Sequence, residues 1–221
     1  MADRVAEKSV PPVQSEPPPP TKGERTRTRI LDVAYDSIVH KGFAATSIEE
    51  LVEAAGITKS GFFYHFRDKT DLAHQLLERY QAEDVALTEQ LTARARELSD
   101  DPLHSLLIFL KLYAEVLTDI TAQHPGCIVA TVTFQEACFD RKVSRMNTEG
   151  VLAWRERFAR WLEEIAAVYP PRAEISLDDL ADNLTAVTIG AIAVSKAVRD
   201  PAVVGRQTML HRDYIRLLFS R

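Results

Sequence analysis

Between residues 58 and 69 the chain carries Thr58, Lys59, Ser60, Tyr64, His65 and Lys69, with Phe62, Phe63 and Phe66 as apolar bulk among them. Hydroxyl, ammonium, phenol and imidazole donors on a short aromatic-backed helix suit phosphate oxygens and base edges better than bond-making chemistry. Thr58, Lys59 and Ser60 stand at the N-terminal end of that helix, the end from which bases are read. Catalysis has no comparable signature. The chain has no glycine-rich phosphate loop, no HExxH, no CxxC and no GxSxG, and no two of its six histidines, His104 and His124 among them, stand four apart. No catalytic residue, metal or cofactor is therefore expected, and the chain does not read as an enzyme.

Cys127 and Cys138 are the two cysteines. On one helix their spacing separates them by roughly 16 Å along the axis, beyond the ~7 Å Cα limit for a disulfide. So few cysteines fit a reducing compartment. Cys127 follows His-Pro-Gly at an expected helix start, where the backbone dipole favours the thiolate. A buried, inert thiol is the other reading of that residue.

Two short helices joined by a tight turn must position the polar set. Ser47 caps the first, Glu50 stands where it can return the cap's hydrogen bond, and Ile48, Leu51, Val52 and Ala55 share a face. Gly56 supplies the positive φ that ends this helix, Ile57 folds back, and Thr58 caps the second helix over residues 59–66. Gly61 weakens that second helix by roughly 1 kcal/mol relative to alanine, which fits a backbone lying close to a phosphate or a base edge. So brief a connection forces a steep crossing, with the second helix in a major groove and the first across the phosphate backbone. A preceding helix is expected over residues 26–41, capped by Thr26, burying Ile30, Ala34 and Ile38 beside Leu31 and Tyr35, stopped by Gly42 and followed by an inward Phe43.

Charge does not by itself mark a nucleic-acid binder: the net charge is −5, and residues 23–80 hold 8 Lys+Arg against 9 Asp+Glu. Placement matters more than the sum, because screening confines each charge to a Debye length of ~8 Å at physiological salt. Arg25, Arg27 and Arg29 lead into the first helix, either as phosphate contacts or as an ordinary solvated face.

The run GITKSGFFYHFRDKTDL, preceded by TSIEELVEAA and KGFAAT, resembles the DNA-binding domain of TetR-family transcriptional regulators over residues 26 to about 77. The resemblance implies a dimeric regulator, a repressor in the simplest form, that binds a palindromic operator in double-stranded DNA and is released by a small-molecule effector held in its C-terminal domain. The expected DNA contacts are Arg25, Arg27, Ser47, Thr58, Lys59, Ser60, Tyr64, His65 and Lys69, with Tyr64 and Lys69 mainly on phosphates. A helical adaptor or small-molecule-binding protein without DNA binding is the alternative.

With 46% hydrophobic residues in 221, the rest of the chain can bury a large core. Residues 1–22, with PPVQSEPPPP, read as a disordered polyproline-like tail. No apolar run reaches the length of a membrane span or makes a signal-peptide core, so a cytoplasmic protein without membrane contact is expected. Asp68 caps a long helix carrying Leu72, Leu76 and Tyr80 and continuing past Leu87 and Leu91 towards Leu98, out of the small domain and into the larger. A helix from Pro102 bears Leu106, Leu110, Tyr113 and Leu117, with Phe109 one position off that face. Further helices are expected over 127–138, 147–169, 178–199 and 202–219. No alternating β pattern occurs, so the fold is all-α, with a helix-turn-helix domain at 23–70 and a larger helical domain at 71–221.

Within the larger domain Phe109, Tyr113, Cys127, Thr131, Phe134, Trp154 and Phe158 fall on three successive helices, and are expected either to line the effector cavity or to be plain core. A helix N-terminus at Cys127 favours an anionic group by about 0.3–1 kcal/mol, Arg155 can add a positive partner, and no carboxylate cluster faces the aromatics. A small organic acid or an electrophilic relative is therefore the expected effector. HPGCIVA also resembles the start of the corresponding helix in TetR-family members, some of which sense electrophiles or small unsaturated acids such as acrylate. Ala186, Gly190, Ala193 and Ala197, at i, i+4, i+7 and i+11, form a narrow strip that suits a dimer interface or close packing within the protomer.

Overall fold

The structure, a computed structural model, describes residues 19–219. Among them are nine α-helices: α1 (Lys22–Lys41), α2 (Ile48–Ala54), α3 (Lys59–His65), α4 (Lys69–Leu98), α5 (Pro102–Gln123), α6 (Ile128–Phe134), α7 (Arg141–Val168), α8 (Leu177–Val198) and α9 (Ala202–Phe219), with a 3-10 turn at Glu136–Cys138. The expected all-α class is what forms. The expected tail of residues 1–22 lies, up to residue 18, outside the described residues, whereas Thr21 already caps α1 and Lys22 begins it. No helix among the described residues is long and apolar enough to cross a membrane.

Side-chain caps set most boundaries. Thr21 caps α1 through a full capping box with Glu24, so α1 starts four residues before the expected Thr26, whose hydroxyl donates instead to the Lys22 carbonyl. Ser47 accepts from the Glu50 N–H at 3.2 Å, but the Glu50 carboxylate does not return the bond because Lys41 holds it. Gly42 (φ 91°) and Gly56 (φ 60°) take the positive φ that ends α1 and the α2 turn. Asp140, accepting from Val143 N–H at 2.9 Å, starts α7 six residues earlier than the sequence suggested. Beyond Phe134 the backbone leaves helical geometry at Gln135, so Cys138 sits in the 3-10 turn. The two cysteines are free and do not share a helix, contrary to the expected 127–138 element.

Two apolar cores result. The first gathers Ile30, Leu31, Ala34 and Ile38 of α1, Leu51, Phe62 and Phe66 of α2, α3 and the turn after it, and Leu72, Leu76 and Leu77 of α4. It does not stop at the small domain, because Ile128, Val132 and Val143 from α6 and α7 close it from below. The second core lies among α5, α7, α8 and α9, around Leu106, Phe109, Leu110, Trp161, Leu162 and Ile165. Phe109, read as off the buried stripe, is fully buried, ringed by Tyr113, Phe158 and Trp161 at centroid distances of 5.5–5.6 Å.

His211 of α9 is 5% exposed and faces Asn183 Oδ1 of α8 at 3.0 Å from its Nδ1. Desolvation holds its pKa down at about 4. The neutral ring is the folded form, so its contribution is present above the unfolded value near 6.5 and is lost as pH falls from there towards 4. Urea unfolding should therefore show stability falling between pH 6.5 and 4.5, with a shallower slope in His211→Gln.

Candidate DNA-reading head and effector cavity

α3 turns Phe62 and Phe66 fully inward and leaves Lys59, Ser60, Phe63 and Tyr64 outward, with Tyr64 83% exposed. Phe63, read as apolar bulk, is thus half on the presenting face. Thr58 caps α3 by accepting from Gly61 N–H at 3.0 Å. A Cβ on Gly61 would lie 3.3 Å from that hydroxyl oxygen, so the glycine also serves the cap. Thr58 and Ser60 hydroxyls bond each other at 3.0 Å, and the His65 ring sits edge-on to Tyr64 at 4.9 Å.

The cations of this head are partly engaged. Lys59 Nζ lies 2.6 Å from Glu49 in an exposed ion pair, which solvent and salt weaken and a phosphate can replace. Arg27 donates to Gln75 Oε1 at 3.1 and 2.6 Å, and Arg25 to the Pro20 carbonyl at 3.1 Å. Arg25, Arg27, Ser47, Thr58, Lys59, Ser60 and Tyr64 are all exposed, while His65 and Lys69 are half-buried. Lys69 differs most from expectation: its ammonium donates to the Phe43 carbonyl and stands 4.1 Å from the Phe43 ring centroid, and desolvation lowers its pKa. It braces the α1–α2 loop in this structure, and the N-terminal turn of α4 carries it at the edge of the presenting face.

The second site is a pair of adjoining cavities, one of about 310 Å³ among α4, α5, α6, α7 and α8 and one of about 370 Å³ among α1, α4, α5 and α8. Tyr80, Asp84, Tyr113, Cys127 and Thr188 line both. Of the seven residues expected to line a pocket, Tyr113, Cys127 and Trp154 do so. Phe109 and Phe158 back the wall from within the core, with Phe158 stacked on Trp154 at 4.5 Å. Thr131 bonds the Cys127 carbonyl at 3.0 Å within α6, and Phe134 is 79% exposed because α6 ends beneath it. Arg155 forms a bidentate pair with Asp182 of α8, 2.7 and 2.6 Å, and does not face the cavity.

Burial governs the titratable groups here. It pushes the Cys127 thiol up, against the pull of the Val129 and Ala130 N–H groups at the α6 N-terminus, a direction that favours the thiol over the thiolate. Tyr80 and Tyr113 rise well above the usual phenol value, Tyr35 to about 12, all mainly through desolvation. Asp84 also rises, through burial, although the Trp154 indole donates to it and Arg157 stands near.

The sequence reading missed Asp84, Tyr80, Arg157 and Thr188. A signal existed: Tyr80, Asp84 and Thr88 recur every fourth residue of α4, a polar stripe at helical period hidden by the leucines around it. It also missed Gln135 and Lys196, which reach from the larger domain to the α1 end. The expected small-residue strip is outward, since Ala186, Gly190, Ala193 and Ala197 are all exposed and open space surrounds Gly190. Beside it α9 exposes Leu210, Tyr214 and Leu217, at i, i+4 and i+7.

Residues 30–76 match the family described as bacterial regulatory proteins, tetR family. The HTH-type transcriptional regulator AcrR of Shigella flexneri is 39% identical over 57 residues, 26% of each chain. The transcriptional regulator AcuR of Cereibacter sphaeroides is 26% identical over 171 residues, 76% of this chain and 74% of that one. The chain spans less than half the length of several curated relatives, AcrR included. A TetR-family transcriptional regulator from Agrobacterium tumefaciens shares the fold, with a TM-score of 0.76 at 21% identity over 90% of this chain and 100% of that one. The sequence likeness is thus strongest over the helix-turn-helix segment, and the structural likeness extends the shared fold over most of the chain.

On this geometry Tyr64→Ala should weaken binding to a duplex site roughly tenfold in a gel-shift titration, leaving the urea midpoint unchanged. Lys69→Ala should differ, lowering stability by about 1 kcal/mol because the Phe43 carbonyl loses its donor. Equal midpoints for both variants would remove Lys69 from its bracing role.

Proposed function

We infer that this chain, a regulator of the TetR family, binds a palindromic operator as a homodimer, represses the gene it covers and releases it when a small molecule fills the cavity. One observation carries the reading: α4 belongs to both sites. Its first turns supply Leu72, Leu76 and Leu77 to the reading-head core, and its next turns supply Tyr80 and Asp84 to the cavity wall. A helix cannot tilt at one end and stay fixed at the other without disturbing one of these packings. An effector that prefers the tilted arrangement lowers operator affinity by that preference.

The domain division at residue 70 is a functional boundary in this reading, crossed by α4. Two copies must hold their α3 helices about one helical turn of DNA, roughly 34 Å, apart. The small domain is too small to offer that interface, whereas the exposed strip of α8 and the Leu210, Tyr214 and Leu217 face of α9 offer a close-packing apolar surface. Arg25, Arg27, Ser47, Thr58, Lys59, Ser60, Tyr64, His65 and Lys69 are the proposed DNA contacts, and the protein works where the chromosome is, in the cytoplasm. The expected acid or electrophile as effector loses Arg155, which pairs with Asp182 outside the cavity, and burial that raises the Cys127 thiol weakens the electrophile version.

Selection of bound duplexes from random-sequence DNA by the full chain should enrich a palindrome, and an adaptor would enrich nothing. Gly190→Arg should give a helical monomer by light scattering with lost operator affinity. Trp154→Ala should keep operator binding and lose effector release. A Gly190→Arg protein of dimeric mass overturns the interface, and normal release by Trp154→Ala overturns the cavity.

A further inference from the structure

We propose that the effector is an organic cation carrying N–H donors on a flat apolar body, a protonated amine, seated with its ammonium at Asp84 and its body against Tyr80, Tyr113 and Trp154. The proposal rests on the reading of this cavity as the effector site and names the ligand chemistry it selects. Three observations converge on it.

The first is the sign of the lining. Asp32, Asp36, Glu83, Asp84 and Glu149 place five carboxylates around the joined cavities, against the guanidinium groups of Arg79 and Arg157 and the His124 ring, which lies 2.7 Å from Asp36. Arg79 is already held by Asp32 at 2.8 Å and Glu83 at 3.4 Å, and Arg157 donates to the Thr88 hydroxyl. Asp84, in the wall shared by both lobes, receives the Trp154 indole N–H and faces the space with acceptor capacity to spare. The absence of carboxylates facing the aromatics was one of three grounds for expecting an acid, beside Arg155 and the helix N-terminus at Cys127; α4 removes that one, and Arg155 is held by Asp182 outside the cavity.

The second is an acceptor left without a donor. Asn147 of α7 is 6% exposed and lines the larger-domain lobe, where its Nδ2 donates to the Thr133 hydroxyl at 3.0 Å and to the Val129 carbonyl at 3.4 Å. Because Val129 offers an acceptor, the amide orientation is fixed, and Asn147 Oδ1 is the atom that remains buried with no partner. A ligand N–H supplies what it lacks, and a carboxylate does not. Thus the site asks for donors as well as positive charge, which favours an amine over a quaternary ammonium.

The third is the aromatic wall. Tyr113 and Trp154 lie with centroids 5.7 Å apart, and Tyr80 also lines the cavity. Their electron-rich faces attract a cation within about 6 Å, and their area accepts its apolar body. Burial raises the Asp84 pKa, so a bound positive charge relieves a cost the empty site carries.

The test uses the full chain and three probes of one shape, 4-phenylbutylamine, 4-phenylbutan-1-ol and 4-phenylbutanoate, titrated by calorimetry. The amine should bind roughly tenfold tighter than the alcohol, the acid should bind weakest, and Asp84→Asn should erase the preference for the amine. Circular dichroism checks the fold of Asp84→Asn, and the three-probe ranking on the unaltered chain stands without it. Equal binding of amine and alcohol, a preference for the acid, or no binding by any probe overturns the cation assignment. A separate variant, Thr188→Phe, fills the shared wall. If it binds all three probes as the unaltered chain does, the ligand sits elsewhere and the effector-cavity reading itself fails.

Discussion

The C-terminal end of α1 cannot stand alone. The last carbonyls of a helix have no intrahelical partner and need one from elsewhere. Here Lys196, 157 residues away from Val39 along the chain, donates to the Val39 and His40 carbonyls at 2.9 Å each. The loop that follows is completed in the same way: Phe43 and Ala44 N–H donate to Gln135 Oε1 at 2.9 and 3.3 Å, and Lys69 donates to the Phe43 carbonyl. Gly126 presses so close that a Cβ there would lie 2.4 Å from the Val39 carbonyl oxygen. The floor of the reading head is therefore built from α4, α6 and α8, and moving any of them uncovers polar groups that no neighbour replaces.

In the proposed function, that constraint is what lets a cavity far from α3 matter to it. Gly126 meets α1, the next residue Cys127 lines the cavity, and Gln135 at the far end of α6 holds the α1–α2 loop. A net hydrogen bond contributes about 1 kcal/mol, and allosteric coupling energies run to about 1–3 kcal/mol. Rearranging two or three of these contacts is enough to account for regulation of that size. No long relay of side chains is required, since one short helix touches both sites.

Electrostatics follow the same logic of position over total. A chain of net charge −5 can still present exposed cations around α3, because Arg25, Arg27 and Lys59 are exposed and the Lys59–Glu49 pair is replaceable. In the cavity the same acidic composition turns inward through α4 and sets the character of the lining.

The amino-acid sequence by itself determined what repeats locally. Ser47, Gly56, Thr58 and Asp68 fix the helix-turn-helix because capping and positive φ act within three or four residues, and the leucines of α4 and α5 fix the faces those helices bury. The exposure of Lys59, Ser60 and Tyr64 on α3 was legible for the same reason. What only the tertiary structure decided were contacts between residues distant in the chain: Lys69 turned onto Phe43, Arg155 onto Asp182, Phe134 left outside, and Asp84 brought to face Tyr113 and Trp154. Periodicity says which face of a helix is buried, but it does not say which other helix lies against it. The sign of the cavity depends on that second fact, so Asp84, one of several carboxylates on α4, became visible as a site only once α5, α7 and α8 had closed around it.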